Sequence, residues 1–247
     1  MDMTEKQFEK HIALLGKNAG CIEKLRGRVL LVMFLVDDAK GKWDSASEEA
    51  CVTMIQNACF HLMEESGLPL NQLSITYVNR HVSVPYEVTR ADYQRMMRDV
   101  LSTCYCEDTE SFQDIYKREM SKDEVCVSFV LNRSFTSFAM RRVSLDGVQE
   151  VSDRRGSEFS VVSFQKKKPR CSERSLIHEL MHQFGAMDYY AIPLMAKSAK
   201  KYLPGSIMND GMKIDPLTRY AIGWDEHLAP EAISFLEATK SLTTKDL

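Results

Sequence analysis

Apolar positions fall into blocks whose period changes along the chain. "RVLLVMFLVDD", residues 28–38, is apolar at every position from Val29 to Val36, the pattern of a buried strand that ends in acidic residues. "SASEEACVTMIQNACFHLMEESG", residues 45–67, takes helical spacing, with Ser45 placed to cap it, Glu48 and Glu49 near the first turn and Gly67 at its end. "QLSITYVNRHVSV" is a second strand, up to Pro85, and "TRADYQRMMRDVLSTC" a second helix. "EVCVSFVLN" and "SEFSVVSFQ" are two more strands, separated by a polar stretch with Gly147 and Gly156. Ahead of them all, residues 5–25 predict a helix with Phe8, Ile12 and Leu15 on one face.

A further helix follows the fourth strand, and beyond Gly185 the character changes. Pro193, Pro204, Gly205, Gly211 and Pro216 break the chain into loops and short helical pieces. Strands alternating with helices, then an irregular last third, predict an α/β (α+β) fold in which a small second subdomain tops a sheet. The expected organisation is a single domain over 1–247, with a helical segment at 1–27, an N-terminal subdomain at 28–185 and a C-terminal subdomain at 186–247.

Composition narrows the partners. Apolar residues make up 44% and charged residues 27%, an ordinary globular balance. A net charge of -3 gives no reason to expect nucleic acid. The longest apolar run, Val29 to Val36, is far short of the roughly 20 residues a spanning helix needs, so no membrane span is expected. "MDMTEKQFEK" has no signal-peptide stretch, which reads as cytoplasmic as written, or secreted if a leader was removed. Seven irregularly spaced cysteines favour a reducing compartment. Oligomeric state is not written in the chain.

The chemistry concentrates in "HELMHQFGAMDYY", residues 178–190. Histidines at i and i+4 share a helical face, so His178 and His182 can aim ring nitrogens at one ion. Glu179 is rotated by about 100° from the first and about 60° from the second, awkward for ligation and well placed to touch a water on that ion. Ile177, Leu180, Met181 and Phe184 supply an apolar anchoring side. Ser172 or Ser175 can cap the helix, which Pro169 precedes. Gly185 can reverse the chain in the left-handed conformation and return Asp188 as a third ligand. Two imidazoles and a carboxylate leave Zn²⁺ an open position for water, the catalytic arrangement. Zinc lowers that water's pKa to roughly 7, and Glu179 would take its proton during attack on an amide carbon.

"HELMHQFGAMD" resembles the extended motif of the metzincin zinc endopeptidases, in the snapalysin-like variant with aspartate as third ligand. "SIMND" resembles their Met-turn, and "DPLTRYAIGW" the helix that follows it. The resemblance implies a metzincin-like, twisted mixed sheet, one catalytic Zn²⁺ held by His178, His182 and Asp188, Glu179 as general base, Met208 as an apolar floor, and a peptide or protein substrate. It also implies that "SEFSVVSFQ" is the sheet-edge strand along the cleft, pairing with extended substrate. Asp210 stands where some metzincins carry a tyrosine, leaving Tyr189, Tyr190 or Tyr220 to supply a phenol. His227, Asp210 and Asp215 compete with Asp188 as third ligand.

Two other functions fit the same residues: a non-catalytic zinc protein that binds peptides or a partner through the cleft, and a metal-dependent amidase acting on a small or cell-wall substrate. Elsewhere, "KKKPR" at 166–170 and the pair Asp37 and Asp38 read as solvated turns. His11, His61 and His81 read as structural or surface residues.

Overall fold

A computed structural model describes residues 24–140 and 158–242. The helix predicted over 5–25 lies almost wholly outside them, as do His11, Gly147 and Gly156. The architecture is mixed α/β. Strands β1 (Gly27–Asp37), β2 (Leu73–Ser83), β3 (Glu124–Leu131), β4 (Phe138–Met140) and β5 (Phe159–Ser163) form one sheet in the order β2-β1-β3-β5-β4. All neighbours are parallel except β4, which runs antiparallel to β5. Helices are α1 (Ser45–Ser66), α2 (Tyr93–Ser102), α3 (Thr109–Glu119), α4 (Pro169–Gln183), α5 (Pro193–Tyr202), α6 (Pro216–Ala221) and α7 (Pro230–Thr239).

The unbroken apolar run of β1 follows from its central place. Val29, Leu31, Met33 and Leu35 face one core with α1, α4 and the chain beyond Gly185. Leu30, Val32, Phe34 and Val36 face a second core with Met96, Met97 and Leu101 of α2 and Phe112 of α3. A parallel strand covered by helices on both faces has no polar side to show.

Local signals explain most boundaries, and four expectations need correction. The cap of α1 is Asp44, not Ser45: Asp44 accepts from the Ser47 amide at 2.6 Å while the Ser47 hydroxyl accepts from the Asp44 amide at 2.9 Å. This reciprocal box satisfies two amides, which a serine one position later would not. Gly67 then ends α1 at φ 64, as expected. α4 starts at Pro169, so Ser172 is inside its first turn, where its hydroxyl accepts from the Gln165 amide at 2.9 Å.

The strand expected at the sheet edge, β5, is internal, flanked by β3 and β4. Among the described residues the edge on that side is β4, three residues, too few to show a period. Asp38 is the fourth correction. It is fully buried rather than solvated, accepting from the amides of Lys40, Gly41 and Val88 and pairing with Arg133 at 2.8 Å. Helix α3 had no counterpart in the sequence reading. Asp108 caps it through the Ser111 amide, but only Thr109 and Phe112 are buried.

Past α4 the chain packs back on the first core. Trp224 is tied to the start of β1 by its indole N–H donating to Leu25 O at 2.9 Å and by Arg26 donating to its carbonyl at 2.7 Å. No helix among the described residues is long and apolar enough to cross a membrane.

Candidate metal centre

Every residue of α4 from Leu176 to Gln183 is buried. Ile177, Leu180, Met181 and Phe184 lie in the first core, so the helix is fixed in rotation and depth. His178, Glu179 and His182 therefore occupy a buried position with no freedom to swing into solvent. One potential ligand atom from each lies within 4.8 Å of the others.

The helix ends in a Schellman motif. Gly185 sits at φ 99, its amide donates to His182 O at 3.2 Å, and the Ala186 amide donates to Met181 O at 3.1 Å. This reversal does two things. It places Ala186 O 2.9 Å from His182 Nδ1, and it returns Asp188 to the helix, with Oδ1 3.1 Å from His178 Nε2 and 3.2 Å from His182 Nε2.

The second ring is oriented from elsewhere. His178 Nδ1 lies 2.9 Å from Ile207 O, in the tight loop around "SIMND". That loop is held by Arg174 of α4, whose Nε donates to Gly211 O at 2.8 Å and Nη2 to Asn209 O at 3.0 Å. Gly211 approaches Gly205 so closely that a Cβ there would meet Gly205 O at 1.9 Å. Met208 is fully buried, and its carbonyl accepts from the Tyr189 amide at 2.9 Å.

These contacts set the charge problem of the site. A carbonyl only accepts, so each Nδ1 carries a proton, and a neutral ring then presents the Nε2 lone pair. Two such lone pairs and the Asp188 carboxylate converge on one point, and buried Asp188 Oδ1 makes no hydrogen bond of acceptable geometry. Three mutually repelling acceptors need a positive charge between them. Without a metal, protons must serve. Burial lowers the His178 pKa, but Asp188 and Glu179 outweigh it and the net direction is upward. Burial likewise raises Asp188, yet the facing imidazoles hold it well below the usual carboxylate range. The residues thus fit a divalent cation, with a donor set of two imidazoles and a carboxylate.

The other candidates are placed elsewhere. Asp215 caps α6 and accepts from the hydroxyls of Ser206 and Thr218, both at 2.6 Å. Asp210 is exposed and pairs with Lys200 at 3.6 Å, and His227 is exposed. Tyr189 is buried in the core, its phenol 3.3 Å from Asp215 and 3.2 Å from Thr218, and so is spent on packing α6. Tyr190 stacks on His178 with ring centroids 5.9 Å apart and remains half exposed. Tyr220 does not line the site cavity.

That cavity, about 350 Å³, opens beside His178, Glu179 and Tyr190. Its remaining walls come from the chain around β4 and β5 (Phe135, Ser137, Ser163, Gln165), from the first turns of α4 and from Asn209. Arg174 went unread in the sequence although it lies one turn before His178 on the same face, a spacing that could have found it. Lys166, Lys167 and Lys168 are exposed and do not line the cavity. His81 pairs with Glu48 at 2.6 Å and His61 lies 3.1 Å from Met212 O, both structural contacts.

No protein-family model matches the chain, and no curated protein matches it. Among solved structures, a crystal structure of metalloproteinase-II from Bacteroides fragilis aligns with 94% of this chain at 12% identity and a TM-score of 0.43. The chain spans 60% of that protein's length.

Proposed function

We propose that this chain is a zinc-dependent endopeptidase of metzincin type. The observation that carries the reading is the convergence of His178 Nε2 and His182 Nε2 on Asp188 Oδ1, 3.1 and 3.2 Å away, with Glu179 beside them and a cavity in front. Those three atoms would hold the ion, because Asp188 reaches both rings while Glu179 projects from a different angle of the helix. A bound zinc ion supplies Lewis acidity that polarises a scissile carbonyl and acidifies a water.

The remaining chemistry belongs to the chain. Glu179 takes the proton of the attacking water and delivers it to the leaving amine, from a carboxylate held in a buried position beside the two histidines. Tyr190, half exposed over His178, offers a phenol donor toward developing negative charge. Substrate lies extended along β4, the outer strand next to β5 among the described residues, which takes the pairing role first expected of β5. The experiment is digestion of a mixed peptide library by zinc-loaded protein, with chelator and Glu179→Ala as controls. Hydrolysis abolished by both is expected; equal product from the Glu179→Ala protein rejects the reading.

A further inference from the structure

The cavity beside Glu179 has an unusual wall for a pocket that would take a side chain. Serines, a glutamine and an asparagine make up half of its lining, Glu179 stands at one side, and Arg174 is its one arginine or lysine. Two of the five guanidinium N–H groups of Arg174 are used on the carbonyls of Asn209 and Gly211. No carboxylate pairs with Arg174 among the described residues. Those two bonds fix the guanidinium plane and leave three N–H donors on a side chain that lines both this cavity and a neighbouring one beside His61 and Met212. The Ser175 hydroxyl, on the next residue of α4, has no hydrogen-bond partner among the described residues and lines the same space.

We propose that this cavity selects a carboxylate on the substrate next to the cleaved bond, with Arg174 as the specificity-determining residue and Ser175 as an auxiliary donor. The inference rests on the peptidase reading. A carboxylate fits because a guanidinium already oriented by backbone bonds loses little freedom on forming a forked, charge-assisted pair, whereas an apolar side chain would bury those donors unpaired. The carboxylate can come from a glutamate or aspartate side chain or from a free chain end.

The test uses zinc-loaded Glu179→Ala protein and fluorescent peptides differing at one position, glutamate, glutamine or leucine, each with an amidated end, plus the glutamine peptide with a free end. Binding is read by anisotropy. At least about tenfold tighter binding of the glutamate peptide than of its glutamine isostere is expected, with the ratio falling toward one in Arg174→Met and partly kept in Arg174→Lys. A preference for the free-ended peptide instead assigns the pocket to a chain terminus. Because Arg174 also holds a loop, the ratio in the Arg174-intact protein, and its decline with salt, stand without the variants. Leucine binding as tightly as glutamate there overturns the proposal. Mapping wild-type cleavage sites separates the two readings. Cutting beside apolar residues with no acidic preference removes the pocket assignment and leaves the peptidase, while acidic preference without any cutting does the reverse.

Discussion

Replacing Gly185 by alanine tests whether the helix-ending reversal builds the metal centre. Gly185 sits at φ 99, a conformation that strains a residue with a Cβ by about 1–3 kcal/mol. Alanine also restricts the unfolded chain, which offsets about 0.4–1 kcal/mol, so the net loss should be roughly 1–2 kcal/mol. At about 2–4 °C per kcal/mol for a chain of this length, the metal-free protein should melt about 2–8 °C lower. The reversal also carries Ala186 O, which orients His182, and Asp188, so zinc affinity should fall about 10–100-fold, the usual range for disturbing a ligand's supporting shell. Gly67→Ala is the matched control. It too has positive φ, at 64, with open space around its Cβ position and no link to the metal site. It should lower the melting temperature while leaving zinc affinity alone. Calorimetric melting and competition with a zinc chelator read the two quantities. Equal zinc affinity in the Gly185→Ala and wild-type proteins would refute the coupling of chain reversal to metal binding.

Three other outcomes are expected. Asp38→Ala should cost about 3–5 kcal/mol in urea unfolding, because it leaves Arg133 without its buried partner. Burial raises the Asp38 pKa, but the Val88, Gly41 and Lys40 amides and Arg133 together bring it below the ordinary value. Its stabilisation is therefore complete above about pH 4 and is lost as pH falls through the folded value, so the gap between wild type and Asp38→Asn should close in acid; a constant gap contradicts the assignment. Gly211→Ala should lose roughly 1–3 kcal/mol, since its Cβ meets backbone that cannot step aside, and should weaken zinc binding through Ile207; unchanged unfolding and metal titration would count against the close approach. Burial pushes the Cys51 and Cys59 thiols up to about 12, so brief alkylation at pH 8 should modify exposed Cys171 and spare both, with peptide mapping as readout; rapid labelling of Cys59 would contradict its burial.

The parts legible in the sequence are those with a repeating signal. β1 and α1 announced themselves because a doubly covered strand is apolar throughout and a long helix repeats its spacing several times. The two histidines and Glu179 were legible because helical geometry alone fixes their relative directions. What escaped reading was short or depended on distant chain. β4 has three residues and α3 buries only two, too few for a period. Whether β5 is an edge is decided by β4, and no residue of β5 encodes that. Asp37 and Asp38 look alike in sequence, yet only Asp38 turns inward to meet Arg133, 95 residues away. Tyr189 and Tyr190 are adjacent, and alternation along the chain sends one into the core and the other over His178. The i, i+4 spacing of Arg174 to His178 puts it on the metal face, but its hold on the loop carbonyls of Asn209 and Gly211 depends on chain 35 and 37 residues away.

Both imidazoles are aimed by main-chain oxygens, of residues 186 and 207, rather than by side chains. Any amino acid provides such an oxygen, so those two positions are free to drift provided the curve of the backbone survives. Inheritance here would protect a path through space more strictly than the letters along it, with glycines guarding the bends. Distant cousins could thus keep the same aim while sharing few recognisable words.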